Sequence, residues 1–447
     1  MRKLLTAALV IAACHGNDPA TGGAGSAGSA PQTTPSTKSG PGSSAVGSDQ
    51  PVAAGSGSGS SAPVADAAPP AAKPADPTPQ APIADGGHDF TAEGKALLAV
   101  GACGDVPAPD GFDKAALADH CEIIKKAQDD YAEKWVKPAS EFFAAHVPKD
   151  VPKKVIYPFA GGDFSTALTV FPDADLITTM SLEPSGDPRT LDALKGKDLD
   201  HALKKVEYEL KFLYRVNFSN TQNMIDAMRG GALPTELIFA LSALKIHGYE
   251  LVKLRYFSLD PDGTVKYLDD DDLKKAPDPT KAAAQKRNWL FANAEIQYKK
   301  PNGRVQVYRH IRANLGNEDS KGIGTGLKKD PRVVKYLEAM GPVAGMTKAA
   351  SYLLSWESFS IMRDYLTSHV VWMVSDATGV APKWGKPAGY DYETYGEFVG
   401  PHIPAGNGIA KDWRTEFESE PKRELAFRFG YYDKHNANHL IIIHKKT

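Results

Sequence analysis

The spacing of apolar residues changes along the chain and predicts both amphipathic helices and buried strands. Short apolar runs bounded by Gly, Pro or polar residues are typical of strands, whereas apolar residues at every third or fourth position are typical of helices. Helices are therefore predicted at 113–135, 163–171, 199–213, 219–229, 234–246, 331–340 and 357–367. Strands are predicted at 155–160, 176–182, 249–259 and 370–375.

The order of these elements predicts an α/β fold. Strands that alternate with helices favour a largely parallel sheet with helices on both faces. Residues 260–263 (Asp-Pro-Asp-Gly) and 300–303 (Lys-Pro-Asn-Gly) predict two inserted hairpins,. A looser turn near 435–438 predicts a terminal hairpin between 426–432 and 439–444. We therefore expect a Rossmann-like, mostly parallel sheet with inserted and terminal antiparallel hairpins, an order that resembles that of Rossmann-like methyltransferases.

Composition divides the chain into three parts. From His15 to about residue 88 it consists mostly of Gly, Ser, Ala, Pro and Thr, with no Phe, Tyr or Trp. Such a segment has too little apolar surface to offset the conformational entropy lost on folding, so we predict a disordered tether. The expected domains are a signal peptide at 1–13, the tether at 14–88, and a single α/β domain at 89–447 that begins with a helical segment at 89–150.

The N-terminus has the layout of an export signal. Arg2 and Lys3 precede a short apolar run that ends at Cys14,. The segment 9–14, Leu-Val-Ile-Ala-Ala-Cys, resembles a bacterial lipobox. The resemblance implies cleavage before Cys14 and acylation of Cys14, which would make the lipid bilayer a partner of the protein. The alternative is an ordinary secretory signal with a chance Cys at its end.

The same resemblance bears on location. Residue 15 is His rather than the Asp that retains familiar lipoproteins in the inner membrane. The resemblance therefore favours the outer membrane, with the folded domain periplasmic or exposed at the surface of the cell envelope.

The charge of the chain bears on which macromolecules it could bind. The formal net charge is −2 and there is no long basic stretch, so nucleic acid is not an expected partner,.

Cys103 and Cys121 are the two cysteines beyond Cys14, and in an exported domain an even count suggests a disulfide,. A buried free thiol at Cys121 is the alternative. No residue spacing matches a zinc site, so no metal is assigned.

One turn has the position of a ligand site in open α/β sheets. Gly161, Gly162 and Asp163 follow the first predicted strand and open a helix, whose free N–H groups favour anions,. Glu183 follows the second strand, where an acidic residue contacts ribose in many nucleotide-binding folds. The resemblance to methyltransferases therefore implies a cofactor site at these four residues, although the glycine pattern is not G-x-G-x-x-G and the cofactor is unknown. The alternative is a tight turn with a capping Asp.

Acidic residues also follow other predicted sheet elements. Glu357 comes after the segment 349–355, and Asp376 comes after the strand 370–375. If those strands are parallel, Asp163, Glu183, Glu357 and Asp376 would lie along one edge of the sheet, where carboxylates serve acid/base or metal chemistry. Polar residues are also common at any junction between a strand and a loop. We therefore regard the four carboxylates as candidate catalytic residues only.

A second resemblance covers most of 90–447. The segments that carry it are 157–164 (Tyr-Pro-Phe-Ala-Gly-Gly-Asp-Phe), 171–172, 182–184, 351–359 and 376–380. They are similar to a family of uncharacterised bacterial lipoproteins, which implies a location in the cell envelope and no known activity. The sequence thus predicts an envelope lipoprotein that binds a small molecule or an envelope partner. The alternative is an enzyme with a diverged methyltransferase-like fold that uses rim carboxylates.

Overall fold

The computed structural model describes residues 86–216, 233–279, 289–321, 323–400, 409–429 and 438–446. Within these ranges the helices are α1 (Thr91–Val100), α2 (Lys114–Tyr131), α3 (Lys137–His146), α4 (Phe164–Val170), α5 (Lys197–Val216), α6 (Thr235–Ile246), α7 (Asp270–Leu273), α8 (Arg332–Glu338), α9 (Ser360–His369), α10 (Pro382–Gly385) and α11 (Ile409–Ser419). The strands are β1 (Lys154–Pro158), β2 (Leu176–Ser181), β3 (Glu250–Leu259), β4 (Val265–Tyr267), β5 (Asn293–Lys299), β6 (Val305–Arg312), β7 (Val343–Thr347), β8 (Val370–Ser375), β9 (Tyr390–Gly396) and β10 (His439–Lys445).

The strands form one mixed sheet in the order β4-β3-β5-β6-β2-β1-β7-β8-β10-β9. Its centre, β6-β2-β1-β7-β8, is parallel, and both outer parts are antiparallel. The predicted α/β class with a mostly parallel core and antiparallel hairpins is therefore confirmed. The carboxyl ends of the five parallel strands meet at one edge of the sheet.

Both faces of the sheet are covered. Successive residues of a strand point to opposite faces, and in β1 Val155 and Tyr157 belong to one apolar core while Ile156 belongs to the other. In β10, Leu440 and Ile442 alternate with isoleucines in the same way. Strands buried on both sides appear as continuous apolar runs, which explains why they could be recognised in the sequence.

Two predicted elements differ from the structure. The segment 349–355 is a 3₁₀ helix, and the central strand lies just before it, at β7. The terminal strand β10 pairs with β8 and β9 rather than with 426–432, of which the described part, up to residue 429, is not a strand. The predicted helix at 219–229 lies outside the described residues.

The predicted helical segment at 89–150 contains α1, α2, α3 and a π-helical turn between the last two. A disulfide joins Cys103 to Cys121, with 5.4 Å between their Cα atoms. It closes a loop between α1 and α2 of a size that contributes about 3 kcal/mol. None of the helices described is long and apolar enough to cross a membrane.

Candidate functional site

Polar side chains at the carboxyl edge of the sheet form two neighbouring groups. The first, the Asp163 cluster, consists of Asp163, Lys348, Tyr157, Thr166 and Asp376. The second, the Glu183 cluster, consists of Glu183, Glu236, Tyr308, His310 and Arg312. The two groups differ in one respect that decides their roles: the Asp163 carboxylate is hydrogen-bonded within the protein, whereas the Glu183 carboxylate is not.

Asp163 caps α4 and is fully buried. Its carboxylate accepts hydrogen bonds from Thr166 Oγ1 at 2.6 Å and Tyr157 Oη at 3.1 Å, and Lys348 Nζ lies at 3.2 Å. Burial raises the pKa of Asp163, and the positive charge of Lys348 opposes that shift. The carboxylate thus has protein partners on both oxygens.

Lys348 follows β7 and is also fully buried. Burial lowers its pKa, while the negative charges of Asp163 and Asp376 act in the opposite direction. Asp376 follows β8 and accepts a hydrogen bond from the backbone N–H of Ala349 at 3.0 Å. The lysine therefore joins the ends of β1, β7 and β8 into one buried ionic group.

The glycine turn before α4 is filled by the protein itself. A Cβ atom added at Gly162 would lie 2.1 Å from the ring of Phe239 on α6. Gly161 has a φ of +54°, a conformation that glycine adopts readily,. The close approach of α6 explains the second glycine without a ligand, since any side chain there would displace Phe239.

Glu183 lies two residues beyond β2 and is fully buried. Within the described part of the chain, neither of its carboxylate oxygens has a hydrogen-bond partner. A buried polar group without a partner costs about 1–3 kcal/mol, and more when it is charged. Such groups are a small minority in folded proteins, and each one calls for an explanation such as a bound ligand, an ordered water or strain.

His310 lies beside Glu183, and its hydrogen bonds determine which ring nitrogen carries a proton. Nε2 lies 2.7 Å from the carbonyl oxygen of Glu183, which can only accept, so Nε2 must donate,. Burial lowers the pKa of His310 to about 4, so the ring is neutral near pH 7 and Nδ1 is an acceptor. Nδ1 lies 3.3 Å from Glu236 Oε1 and 3.1 Å from Thr179 Oγ1.

Glu236 lies next to His310, and its pKa is displaced in the opposite direction. It lies in the first turn of α6, is almost fully buried, and accepts a hydrogen bond from Tyr308 Oη at 2.8 Å. Burial, together with the charge of Glu183, raises the pKa of Glu236 to about 8. Near pH 7 it is therefore a neutral acid whose Oε1 lies 3.3 Å from Nδ1 of His310.

Arg312 connects the cluster to the surface. Its guanidinium carbon lies 4.2 Å from the ring centroid of Trp289, whose side chain is 63% exposed. It also donates to the carbonyl oxygen of Ile323 at 3.2 Å. Burial lowers the pKa of Arg312, and the charge of Glu183 acts against that shift. The arginine thus offsets the charge of Glu183 from a partly exposed position.

The predicted carboxylate rim is present only in part. Asp163, Glu183 and Asp376 are fully buried at the carboxyl edge. Glu357 is not among these buried groups, because 349–355 is not a strand; its side chain is 75% exposed and pairs with Arg363 at 3.2 Å. No group of three or more possible metal ligands occurs in the ranges described.

Lys348, Glu236 and His310 are functional candidates that were not predicted from the sequence. Lys348 follows a strand that was not predicted, Glu236 lies in the first turn of a helix, and His310 lies between Arg309 and Arg312. The residue types around them do not indicate that these three side chains are buried at one edge of the sheet.

Comparison with protein-family models, with curated proteins and with solved structures finds no match to this chain.

Proposed function

We propose that this protein is a lipid-anchored protein of the cell envelope whose α/β domain binds a small molecule at the Glu183 cluster. The unpartnered carboxylate of Glu183 is the observation that carries the proposal. It lies at the carboxyl edge of a parallel sheet, which is where open α/β sheets bind ligands. A ligand that donates hydrogen bonds would satisfy the two oxygens that the protein leaves unpaired.

The neighbouring residues restrict the chemistry of this ligand. Arg312 offsets the negative charge of Glu183, and Glu236 and His310 are neutral near pH 7. The site as a whole therefore has little net charge and favours an uncharged donor, such as a hydroxyl-bearing compound, over a strong anion. The exposed ring of Trp289 next to Arg312 offers an apolar surface for the same molecule,.

The Asp163 cluster is a weaker candidate for this role. The carboxylate of Asp163 is paired within the protein, and Phe239 packs against Gly162. The cofactor site that the sequence suggests at Gly161, Gly162 and Asp163 therefore remains a proposal with less support than the site at Glu183.

The location rests on different observations. The lipobox-like segment that ends at Cys14 supports acylation, and the disulfide between Cys103 and Cys121 fits an oxidising compartment outside the cytoplasm,. Two or three acyl chains on one cysteine would hold a protein stably on a membrane. We propose the outer membrane as the site of attachment, on the basis of His15.

One experiment examines both parts of this proposal. The full chain is purified from the cell envelope in mild detergent and its mass is measured under native and denaturing conditions. We expect a covalent mass of acyl groups on Cys14 that persists on denaturation, and a separate non-covalent mass that is lost. The Glu183→Gln variant should lose the non-covalent mass and keep the acyl groups, because an amide is a poorer acceptor than a carboxylate.

Glu357→Gln is the matched control, since Glu357 is an exposed carboxylate that pairs with Arg363 and lies outside the Glu183 cluster. It should keep both masses. A non-covalent mass that is equally present in Glu183→Gln would place the ligand elsewhere, and an unmodified Cys14 would refute the lipid anchor without affecting the binding site.

A specific observation favours a second candidate function, an enzyme. Glu236 and His310 lie 3.3 Å apart and their pKa values are displaced to about 8 and about 4. Paired groups displaced in opposite directions are typical of acid/base catalysis. In this alternative the buried pair, together with Glu183, would move a proton on the bound molecule.

A further inference from the structure

The exposed face of α5 carries a row of basic side chains around one aromatic ring. The residues exposed at every third or fourth position are His201, Lys204, Tyr208, Lys211 and Arg215. At 100° per residue they fall within an arc of about 80°, and they extend over about 21 Å of helix. Tyr208, in the middle of the row, is 59% exposed. We call this surface the α5 stripe.

The opposite face of α5 holds the helix firmly on the domain. Its apolar residues belong to the main core: Leu199, Leu203, Val206, Leu210 and Leu213. The side chain of Tyr214 stacks on Tyr131 of α2, with 5.0 Å between the ring centroids. The α5 stripe is therefore a fixed feature of the surface, with its cations presented in one direction.

The cations of the α5 stripe differ from many others on the surface. Within the described residues, Lys204, Lys211 and Arg215 form no salt bridge, although Arg215 lies over the ring of Phe212 at 5.7 Å. Several exposed lysines elsewhere do pair with nearby carboxylates: Lys134, Lys137, Lys274, Lys275, Lys328, Lys329 and Lys386. Lys204, Lys211 and Arg215 are thus not held in ion pairs among the described residues, and Glu207, an acid next to them on α5, contacts His120 instead at 3.1 Å.

We infer that the α5 stripe docks the domain onto the anionic surface of a lipid bilayer. Each Lys or Arg near an anionic bilayer contributes about 1 kcal/mol, and tyrosine is favoured at the level of the headgroups. A row of about 21 Å lies flat on such a surface with all its cations in contact. The inference rests on the proposed membrane attachment, because a tether at Cys14 would keep the domain within reach of the bilayer.

The test uses the full chain with Cys14→Ser, so that acylation cannot contribute to binding. The protein is sedimented with vesicles of phosphatidylcholine alone and with vesicles that also contain phosphatidylglycerol. We expect binding only to the second kind, and a decrease at high salt because screening weakens exposed charges. Replacing Lys204 and Lys211 together with Gln should weaken this binding about 30-fold.

The matched control replaces Lys125 and Lys126 with Gln. These lysines are exposed on α2, among the acids Asp119, Glu122, Asp129 and Asp130, and the change of net charge is the same. The control should bind as tightly as the parent chain. Equal binding to both kinds of vesicle, no binding at all, or equal losses in the two double variants would overturn the inference. Because this chain lacks the anchor, none of these outcomes depends on whether Cys14 is acylated.

Discussion

Replacing Lys348 with methionine should destabilise the domain by about 3–5 kcal/mol, because it leaves the buried carboxylate of Asp163 without its cation. Lys348 Nζ lies 3.2 Å from Asp163 Oδ2, and both side chains are fully buried. Methionine has nearly the same length, so the loss reflects charge more than volume. The measurement is the free energy of unfolding in urea for the parent chain and for Lys348→Met.

A double variant separates the ion pair from the rest of the cluster. Asp163→Asn together with Lys348→Met removes both charges, so it should be more stable than Lys348→Met alone. Asparagine keeps an acceptor for Thr166 Oγ1, which lies 2.6 Å from the carboxylate. If Lys348→Met were as stable as the parent chain, the Asp163 cluster would not be a structural ion pair.

Raising the pH should destabilise the protein through Glu236, and Glu236→Gln should remove this effect. The pKa of Glu236 rises from about 4.5 in the unfolded chain to about 8 in the fold, so the folded state keeps a proton that the unfolded state releases. The stability that this proton provides is complete below about pH 4.5 and is lost as the pH rises through about 8. Between those values the free energy of unfolding falls by about 1.4 kcal/mol per pH unit.

His310 acts in the opposite direction over part of that range. Its pKa falls from about 6.5 to about 4, so stability from this group rises with pH between these values and then stays constant. Between about pH 6.5 and about pH 8, His310 no longer changes the free energy of unfolding, and the decrease caused by Glu236 is seen alone. Urea unfolding at both ends of that window should show a decline of about 2 kcal/mol in the parent chain that is absent from Glu236→Gln. Identical slopes in the two proteins would mean that Glu236 is ionised in the fold.

The sequence predicted the fold class because the buried strands appear as apolar runs, as in β1 and β8. It failed for β7, which contains Ala344 and Gly345. A Cβ atom at Gly345 would lie 3.2 Å from Val370 of β8, so the strand needs a small residue where a β-branched one is typical,. Because β7 was not predicted, the segment 349–355 was counted as a sheet element in its place, and Glu357 was wrongly assigned to the buried carboxylates of the rim.

Only those residues of the site that lie just beyond a predicted strand could be predicted from the sequence. Asp163 and Glu183 lie a few residues beyond strands that the sequence reveals, and both are buried at the carboxyl edge. Glu236 and His310 are far from Glu183 in the sequence, and they meet it only because β6 pairs with β2 and α6 crosses that edge. The spacing of these residues along the sequence does not indicate that the fold brings them into contact. The missing hydrogen bonds of Glu183 likewise become visible only in three dimensions.

The most direct test of the Glu183 site is the stability of the chain without ligand. The parent chain and Glu183→Met are refolded from denaturant, so that no molecule is carried along, and their free energies of unfolding are compared. Glu236→Met, which removes a buried carboxyl group bonded to Tyr308, is the matched control and should be less stable. If Glu183 is kept for a ligand, Glu183→Met should be more stable than the parent chain by about 1–3 kcal/mol, because it removes a buried carboxyl group whose oxygens have no hydrogen-bond partner among the described residues,. A loss of stability comparable to that of Glu236→Met would show that Glu183 supports the fold, and would contradict the proposed binding site.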